Sequence, residues 1–132
     1  MTEPVWLSRN VVLAVQEELL AQFGGLAGIR DEGLVDSALG RPENLLAYGS
    51  PLIFDLAAAY AYGIIKNHPF VDGNKRIGFM AAYIFLGSNG QELDAPEEEA
   101  VLQTLALAAG NVGTDEYAAW LEKSCVRYPY RV

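Results

Sequence analysis

The chain has 132 residues, of which 52% are hydrophobic and 20% are charged. A chain of this length can bury enough surface to fold without a metal or disulfide staple, so we expect one domain over residues 1–132. Nine basic and seventeen acidic residues give a net charge of −8. This balance argues against a DNA or RNA partner, because such proteins neutralise phosphates with a basic face.

From the apolar stretches of the sequence we expect neither a secretory signal nor a membrane-spanning segment. The start, MTEPVWLSRN, lacks a basic stretch followed by an apolar run. The longest apolar stretches, LIFDLAAAYAYGII and IGFMAAYIFLG, fall short of the about 20 residues that cross a bilayer. Cys125 is the only cysteine, and we interpret it as a small buried hydrophobe rather than a nucleophile. We therefore expect a cytoplasmic protein without disulfides.

The spacing of apolar residues predicts helices nearly throughout, and the first lies at the N-terminus. Ser8 is placed to cap a helix that runs to about Phe23. The glycine-rich stretch GGLAGIRDEG that follows is predicted as a loop.

A short second helix is predicted after this loop. Asp31 can cap it, and we expect it to stop at Gly40 and Pro42. Residues 41–51 have a proline near each end and are predicted as irregular, with a short hairpin as an alternative.

Two buried helices are predicted in the middle of the chain. The first runs from about residue 51 to 66, and the second from about residue 74 to 88, where Asn-Gly stops it. Because a residue before proline disfavours helical geometry, His68 should lie in or just past the end of the first.

Two further helices complete a prediction of about six. Asp94 can cap one that has Pro96 and residues 97–99, all glutamates, in its first turn. Thr114 can cap the last, with acidic residues at 115–116 in the same role. No strand of useful length is evident.

The stretch NHPFVDGNKRIGF, residues 67–79, contains the only histidine of the chain. Around it the charge balance reverses. Lys66, Lys75 and Arg76 oppose only Asp72, which gives a local charge of +2 with His68 uncounted. An acidic protein that keeps one small basic region could hold a small anion there.

The predicted helix start within this stretch has the chemistry of an anion site. The first N–H groups of a helix lack partners, and the helix dipole adds about half a positive charge there. Gly73 permits a tight turn, and Asn74, Lys75 and Arg76 would then present their amides to the anion. Arg76 can grip a phosphate with its planar guanidinium, and Lys75 adds a point charge.

Two side chains beside this anion site offer the further chemistry that phosphate transfer needs. Asp72 offers the hard oxygen ligand that Mg²⁺ prefers. Imidazoles change protonation near neutral pH, so His68 could accept a proton from a hydroxyl. Simpler interpretations stay open: Asp72 as a helix cap in an ordinary turn, and His68 as a structural residue. Phe70 is predicted to be a core anchor.

The stretch HPFVDGNKR closely resembles the signature of the Fic/Doc superfamily, roughly H-x-F-x-D/E-A/G-N-G/K-R. The fixed positions are filled by His68, Phe70, Asp72, Gly73, Asn74 and Arg76, with Lys75 at the variable position. Residues 23–44, FGGLAGIRDEGLVDSALGRPEN, resemble the N-terminal half of the Doc ("death on curing") branch. The resemblance covers nearly the whole chain.

The resemblance implies an all-α Fic fold, a compact bundle of about six helices with the motif between two central ones. It also implies a short flap loop or hairpin, in about residues 41–51, that positions a target peptide. The implied roles are a base at His68, a Mg²⁺ ligand at Asp72, an anion hole at Gly73 and Asn74, and ATP phosphate contacts at Arg76.

Lys75 bears on which reaction the resemblance implies. Most Fic proteins have glycine at this position and transfer AMP from ATP. Doc-type proteins have lysine there and resemble kinases, with the γ-phosphate near the motif histidine. In the Doc branch the target is elongation factor Tu, whose phosphorylation stops translation. An AMP transferase and a non-catalytic nucleotide- or protein-binding module remain the alternatives.

The resemblance also has a consequence for control. Many Fic proteins inhibit themselves through a helix reading S/T-x-x-x-E-G/N. The nearest candidate here is Glu43-Asn44, but Leu39 stands where Ser or Thr is required. Without an internal inhibitor, the resemblance implies a separate Phd-like antitoxin, a partly disordered protein that folds on binding.

Overall fold

The computed structural model describes residues 3–127, so residues 1–2 and 128–132 at the two ends of the predicted domain lie outside it. In this part of the chain six helices and two short strands follow one another. They are α1 (Arg9–Phe23), α2 (Glu32–Ala47), α3 (Ile53–Asn67), α4 (Asn74–Ser88), β1 (Gln91–Leu93), α5 (Glu97–Ala109), α6 (Thr114–Ser124) and β2 (Cys125–Arg127). The prediction of an all-α chain with six helices is confirmed.

Helix α3 lies at the centre of the fold. It is apolar on nearly every side, and such a helix is stable only when it is surrounded. Its residues 56–61 and 63–65 are accordingly buried, and it packs against α2, α4 and α6. Despite this apolar composition, no helix within residues 3–127 is long and apolar enough to cross a membrane.

Two predicted helix caps are confirmed. The Ser8 hydroxyl accepts a hydrogen bond from the Val11 N–H at 3.2 Å, at the start of α1. The Asp31 carboxylate accepts one from the Leu34 N–H at 3.0 Å, at the start of α2. Both side chains satisfy N–H groups that a helix start leaves unpaired.

The other two predicted caps are wrong. The α5 N-cap is Pro96, because the backbone N–H of Asp94 bonds to the Ser124 carbonyl and continues the strand pairing. The α6 N-cap is Gly113, and Thr114 is the first helical residue. Here the Glu116 carboxylate accepts the Gly113 N–H at 3.2 Å, which satisfies the helix start in place of a threonine hydroxyl.

The second helix does not stop at Gly40 and Pro42 as predicted, but continues to Ala47. Proline lacks the N–H that would bond to the carbonyl of Ala38, and this usually costs about 3 kcal/mol in a helix interior. Packing outweighs that loss because Pro42 is fully buried. The Ala38 carbonyl faces Gly63 of α3. A Cβ atom added to Gly63 would lie 3.3 Å from the Ala38 carbonyl oxygen, so the two helices are in close contact here.

The two strands were missed because three residues are too few to show alternation. They pair antiparallel, with Gln91 opposite Arg127 and Leu93 opposite Cys125. Cys125 is partly buried against the core, and burial raises the pKa of its thiol to about 11. Little thiolate therefore exists at neutral pH, which agrees with the interpretation of Cys125 as a structural residue.

The contact between α3 and α4 depends on Gly78. A Cβ atom at this position would lie 2.9 Å from Ile65 Cγ1 and 3.0 Å from the Ala61 carbonyl oxygen. Because that carbonyl is backbone, Gly78→Ala must move the two helices apart. We expect the free energy of unfolding in urea to fall by about 1–3 kcal/mol, as for other overpacked cores.

Gly40→Ala is the matched control, because nothing lies within 4 Å of a Cβ added to Gly40 in α2. That variant should gain up to about 1 kcal/mol from helix propensity alone. Equal stability of Gly78→Ala and the wild type would contradict the close contact between the two helices.

Candidate active site

The motif, residues 68–76, begins in the loop between α3 and α4 and ends in the first turn of α4, as the sequence predicts. His68 follows the last residue of α3 and adopts a left-handed backbone conformation, with φ 51° and ψ 53°. Within residues 3–127 it is the only non-glycine residue with positive φ. Its side chain is exposed, so the loop presents the imidazole to solvent at the start of α4.

The buried side chain of Asn74 closes this loop. Its Oδ1 accepts a hydrogen bond from the Phe70 N–H at 3.0 Å, and its Nδ2 donates to the Phe70 carbonyl at 3.0 Å. Phe70 is itself 1% exposed, which confirms it as a core anchor. The first residue of α4 and the middle of the loop are thus held together by one amide.

The same amide contacts the imidazole of His68. Asn74 Nδ2 lies 3.2 Å from His68 Nδ1. The two bonds to Phe70 fix which end of the amide carries the hydrogens, so Nδ2 donates and Nδ1 accepts. The neutral ring therefore carries its proton on Nε2 in this arrangement.

Asp72 contacts the glycine-rich loop rather than capping α4. Its Oδ1 accepts the Gly73 N–H at 2.9 Å, and its Oδ2 accepts the Leu26 N–H at 3.3 Å. The α4 N-cap is Gly73, without a side-chain bond, so the interpretation of Asp72 as a cap is wrong. Its exposed carboxylate keeps lone pairs for a cation, and one such ligand suits Mg²⁺, which takes its other ligands from water and phosphate.

The start of α4 has the geometry of an anion site. Gly73 has φ 79°, a value that favours glycine, and its carbonyl accepts the first in-helix bond from the Ile77 N–H at 2.9 Å. The N–H groups of residues 74–76 precede that bond and so have no partner within the helix. They point out of the helix end with the positive end of its dipole.

Two cations follow at this helix start. Lys75 and Arg76 are exposed, and no carboxylate within residues 3–127 pairs with either. The Arg76 guanidinium lies over the Phe23 ring, 4.2 Å from its centroid. This cation–π contact fixes the plane of the guanidinium and leaves its N–H edge available to an anion.

A cleft between α1 and the start of α4 brings part of the motif together. Asp72, Gly73 and Arg76 line it, together with Gln16, Leu19, Leu20, Phe23, Gly24, Gly25 and Ile77. It encloses about 150 Å³, less than the roughly 300–1,000 Å³ of ordinary ligand pockets, so it has room for phosphates rather than a whole nucleotide. His68, Asn74 and Lys75 are not among its lining residues.

The glycine-rich loop, residues 24–31, runs beside the motif and was not predicted as part of the site. Ile29 forms an antiparallel bridge with Phe70, and the Val71 N–H bonds to the Gly28 carbonyl at 3.0 Å. The buried Gln16 side chain donates to that same carbonyl at 2.9 Å. The sequence signal for this contact was the three closely spaced glycines of the loop, since glycine permits close approach of backbone segments.

The flap prediction for residues 41–51 is wrong. Residues 41–47 belong to α2, and the short loop that follows precedes α3. His68 lies past the opposite end of α3, whose 15 residues separate the two places by about 20 Å. Residues 24–31 are the segment beside the motif instead. A larger cleft near residues 41–51 contains none of the motif residues.

Gly25 is predicted to be required for the position of Asp72. A Cβ atom on Gly25 would lie 2.9 Å from Asp72 Oδ2, so Gly25→Ala should displace the carboxylate from the Leu26 N–H. Gly24→Ala is the control, because Gly24 also has positive φ but no atom within 4 Å. In urea unfolding Gly25→Ala should lose about 1 kcal/mol more than Gly24→Ala, and equal losses would contradict this constraint.

Comparisons with known proteins agree with the geometry of the motif. The model of the Fic/DOC family matches residues 6–86. "Toxin Doc" of Mycolicibacterium smegmatis is 45% identical over 98 residues, which cover 72% of this chain and 71% of that protein. "Protein kinase doc" of Escherichia phage P1 is 29% identical over 119 residues, 89% of this chain and 93% of that protein. The chain therefore belongs to the Fic/DOC family.

Proposed function

We propose that this chain is a Doc-type toxin of a toxin–antitoxin system, which phosphorylates a protein hydroxyl with ATP and Mg²⁺. The observation that carries the proposal is the start of α4, where Lys75 and Arg76 in the first turn of the helix follow the loop that carries His68, Asp72 and Gly73. The relatives' names, a toxin and a protein kinase, support it. The proposed target is elongation factor Tu, reached in the cytoplasm, and its modification would stop translation.

The phosphates of ATP would bind at the start of α4. The N–H group of Asn74 would face them, and Lys75 and Arg76 would supply positive charge. The N–H group of Gly73 donates to Asp72 Oδ1 at 2.9 Å and would join the anion hole by giving up that bond. Asp72 would hold Mg²⁺ beside this site, where the ion neutralises charge that develops on the phosphate oxygens. Because the cleft has room for phosphate groups rather than a whole nucleotide, the nucleoside would lie outside it on the open surface.

The transfer step needs a base for the attacking hydroxyl, and His68 is the proposed one. The hydroxyl oxygen forms a bond to the γ-phosphorus while the bond to the β,γ-bridging oxygen breaks and ADP leaves. The hydroxyl proton passes to His68 Nε2, which must be unprotonated at that moment. That tautomer carries its proton on Nδ1 and gives up the bond from Asn74, at a cost of about 1 kcal/mol.

Lys75 is proposed to determine the orientation in which ATP binds. A long cation at this position occupies space that glycine would leave open, so the γ-phosphate rather than the α-phosphate would face His68. The alternative is AMP transfer, and the proline at position 69, as in AMP-transferring members, favours it. A non-catalytic module that binds nucleotide or protein is the third possibility.

The surface beside the motif suits an extended protein segment. Phe23, Leu26 and Val71 are 56%, 67% and 45% exposed there, and residues 24–28 are exposed as well. A target peptide could lie along this edge. A Phd-like antitoxin is proposed as the second protein partner, because the sequence offers no inhibitory helix of its own.

Labelled nucleotides test the reaction directly. The purified chain is incubated with elongation factor Tu, Mg²⁺ and ATP labelled at the γ- or the α-phosphate. We expect γ-label on the factor and none from α-labelled ATP. His68→Ala should abolish the transfer while nucleotide binding stays within about twofold, since the ring is proposed to act on the hydroxyl proton alone.

Other results would point elsewhere. Label from α-labelled ATP alone would identify an AMP transferase. Binding of nucleotide without label on the factor or on any protein of a cell lysate would favour the binding module. Transfer by His68→Ala at the wild-type rate would exclude His68 as the base.

Lys75→Gly tests the assignment of orientation. Removing the lysine should weaken γ-phosphate transfer by roughly tenfold or more and permit AMP transfer, because the α-phosphate gains room at the start of α4. Lys123→Gly, which removes an exposed lysine from the last turn of α6, is the control and should transfer at the wild-type rate. Unchanged kinase activity in Lys75→Gly would refute the role given to Lys75.

A further inference from the structure

One residue outside the motif bonds to three successive carbonyls of the motif turn. Arg30 donates from Nη2 to the Asn67 carbonyl at 2.8 Å and from Nε to the His68 carbonyl at 2.7 Å. Its backbone N–H donates to the Pro69 carbonyl at 2.7 Å. The turn that carries the only histidine of the chain is therefore held by a residue 38 positions earlier in the sequence.

These bonds stabilise backbone that is otherwise unfavourable, at the end of α3. The last carbonyls of a helix lack partners, and a helix commonly ends in a left-handed glycine. Here the left-handed residue is His68, for which this conformation is less favourable than for glycine because its Cβ atom crowds the following carbonyl oxygen. A guanidinium at the helix C-terminus interacts favourably with the dipole and makes strong bonds to the carbonyls on either side of His68.

The guanidinium of Arg30 bonds to this turn rather than to a carboxylate. Within residues 3–127 no carboxylate forms a salt bridge with it. Its planar shape lets Nε and Nη2 reach two adjacent carbonyls at once, and a lysine ammonium lacks that fixed geometry. Among residues 3–127 the hydrogen bonds of Arg30 to the motif turn all go to backbone carbonyls, so its effect on the imidazole is indirect.

We propose that Arg30 is a positioning residue for His68. Its guanidinium holds the left-handed turn, which keeps the imidazole against Asn74 at the start of α4. The consequence for catalysis rests on the proposed function, whereas the consequence for the imidazole does not. Loss of Arg30 should release the turn and let the ring move away from Asn74 and the start of α4. The rate of phosphate transfer should then fall because the proposed base no longer lies beside the phosphate site.

The single histidine makes the imidazole directly observable. In an untagged chain labelled with ¹⁵N, the two ring nitrogen shifts at about pH 9, where imidazoles are neutral, belong to His68 alone. We expect the wild type to show a protonated Nε2 and an unprotonated Nδ1. In Arg30→Met the two shifts should move toward each other by well more than the measurement error, because a ring freed from Asn74 samples both tautomers.

Two further variants complete the comparison. Arg30→Lys keeps the charge but not the paired donors, so its shifts should lie between those of wild type and Arg30→Met. It also replaces Arg30→Met if circular dichroism shows that the latter does not fold. Arg127→Met removes an exposed arginine from β2, which follows the far end of α6, and should leave the His68 shifts unchanged.

Transfer kinetics give the second measurement. Arg30→Met should lower kcat by roughly ten- to a hundredfold, the effect of a misplaced catalytic group, with KM for ATP within about twofold. A loss of general stability would instead affect nucleotide binding and kcat together.

The two measurements separate the two proposals. Convergent shifts in Arg30→Met together with a reduced kcat support both proposals. Convergent shifts in Arg30→Met, when the wild type itself transfers no phosphate, support the role of Arg30 while the proposed function fails. Wild-type shifts in a folded Arg30→Met or Arg30→Lys chain would overturn the role of Arg30, whatever the kinetics.

Discussion

The site depends on one buried amide, the side chain of Asn74. It bonds to both peptide groups of Phe70 and to the ring of His68, so it closes the loop between the two central helices. A buried amide is expensive to leave unsatisfied, and every hydrogen and the oxygen of this one are used. The positions of His68, of Asp72 and of the helix start behind them follow from that closure.

The second support for the site comes from the glycine-rich loop, residues 24–31. Backbone bonds join it to Pro69 and Val71, and the Leu26 N–H bonds to the Asp72 carboxylate. Its backbone can approach so closely because Gly25 has no side chain to meet Asp72, and because Gly25 and Gly28 both have positive φ. The proposed metal ligand and the proposed base are therefore both tied to this loop, although it carries no motif residue.

Packing overrode local sequence signals in several places. Pro42 predicted the end of α2, yet its burial keeps the helix intact to Ala47. Asp94 is a good helix cap by residue type, but its backbone is already bonded in the strand pair. Local propensity is a weak signal in such cases because a tertiary contact is worth as much as the preference it opposes.

The sequence by itself determined the six helices and the contents of the motif. Apolar spacing, caps and glycines act within a few residues, and so does the spacing that puts His68 and Asp72 just before the start of α4. The tertiary structure alone decided that residues 24–31, rather than residues 41–51, lie beside the motif, and that Arg30 bonds to the turn of His68. These contacts join segments about 40 positions apart, and periodicity within a helix carries no information about which distant backbone will meet it.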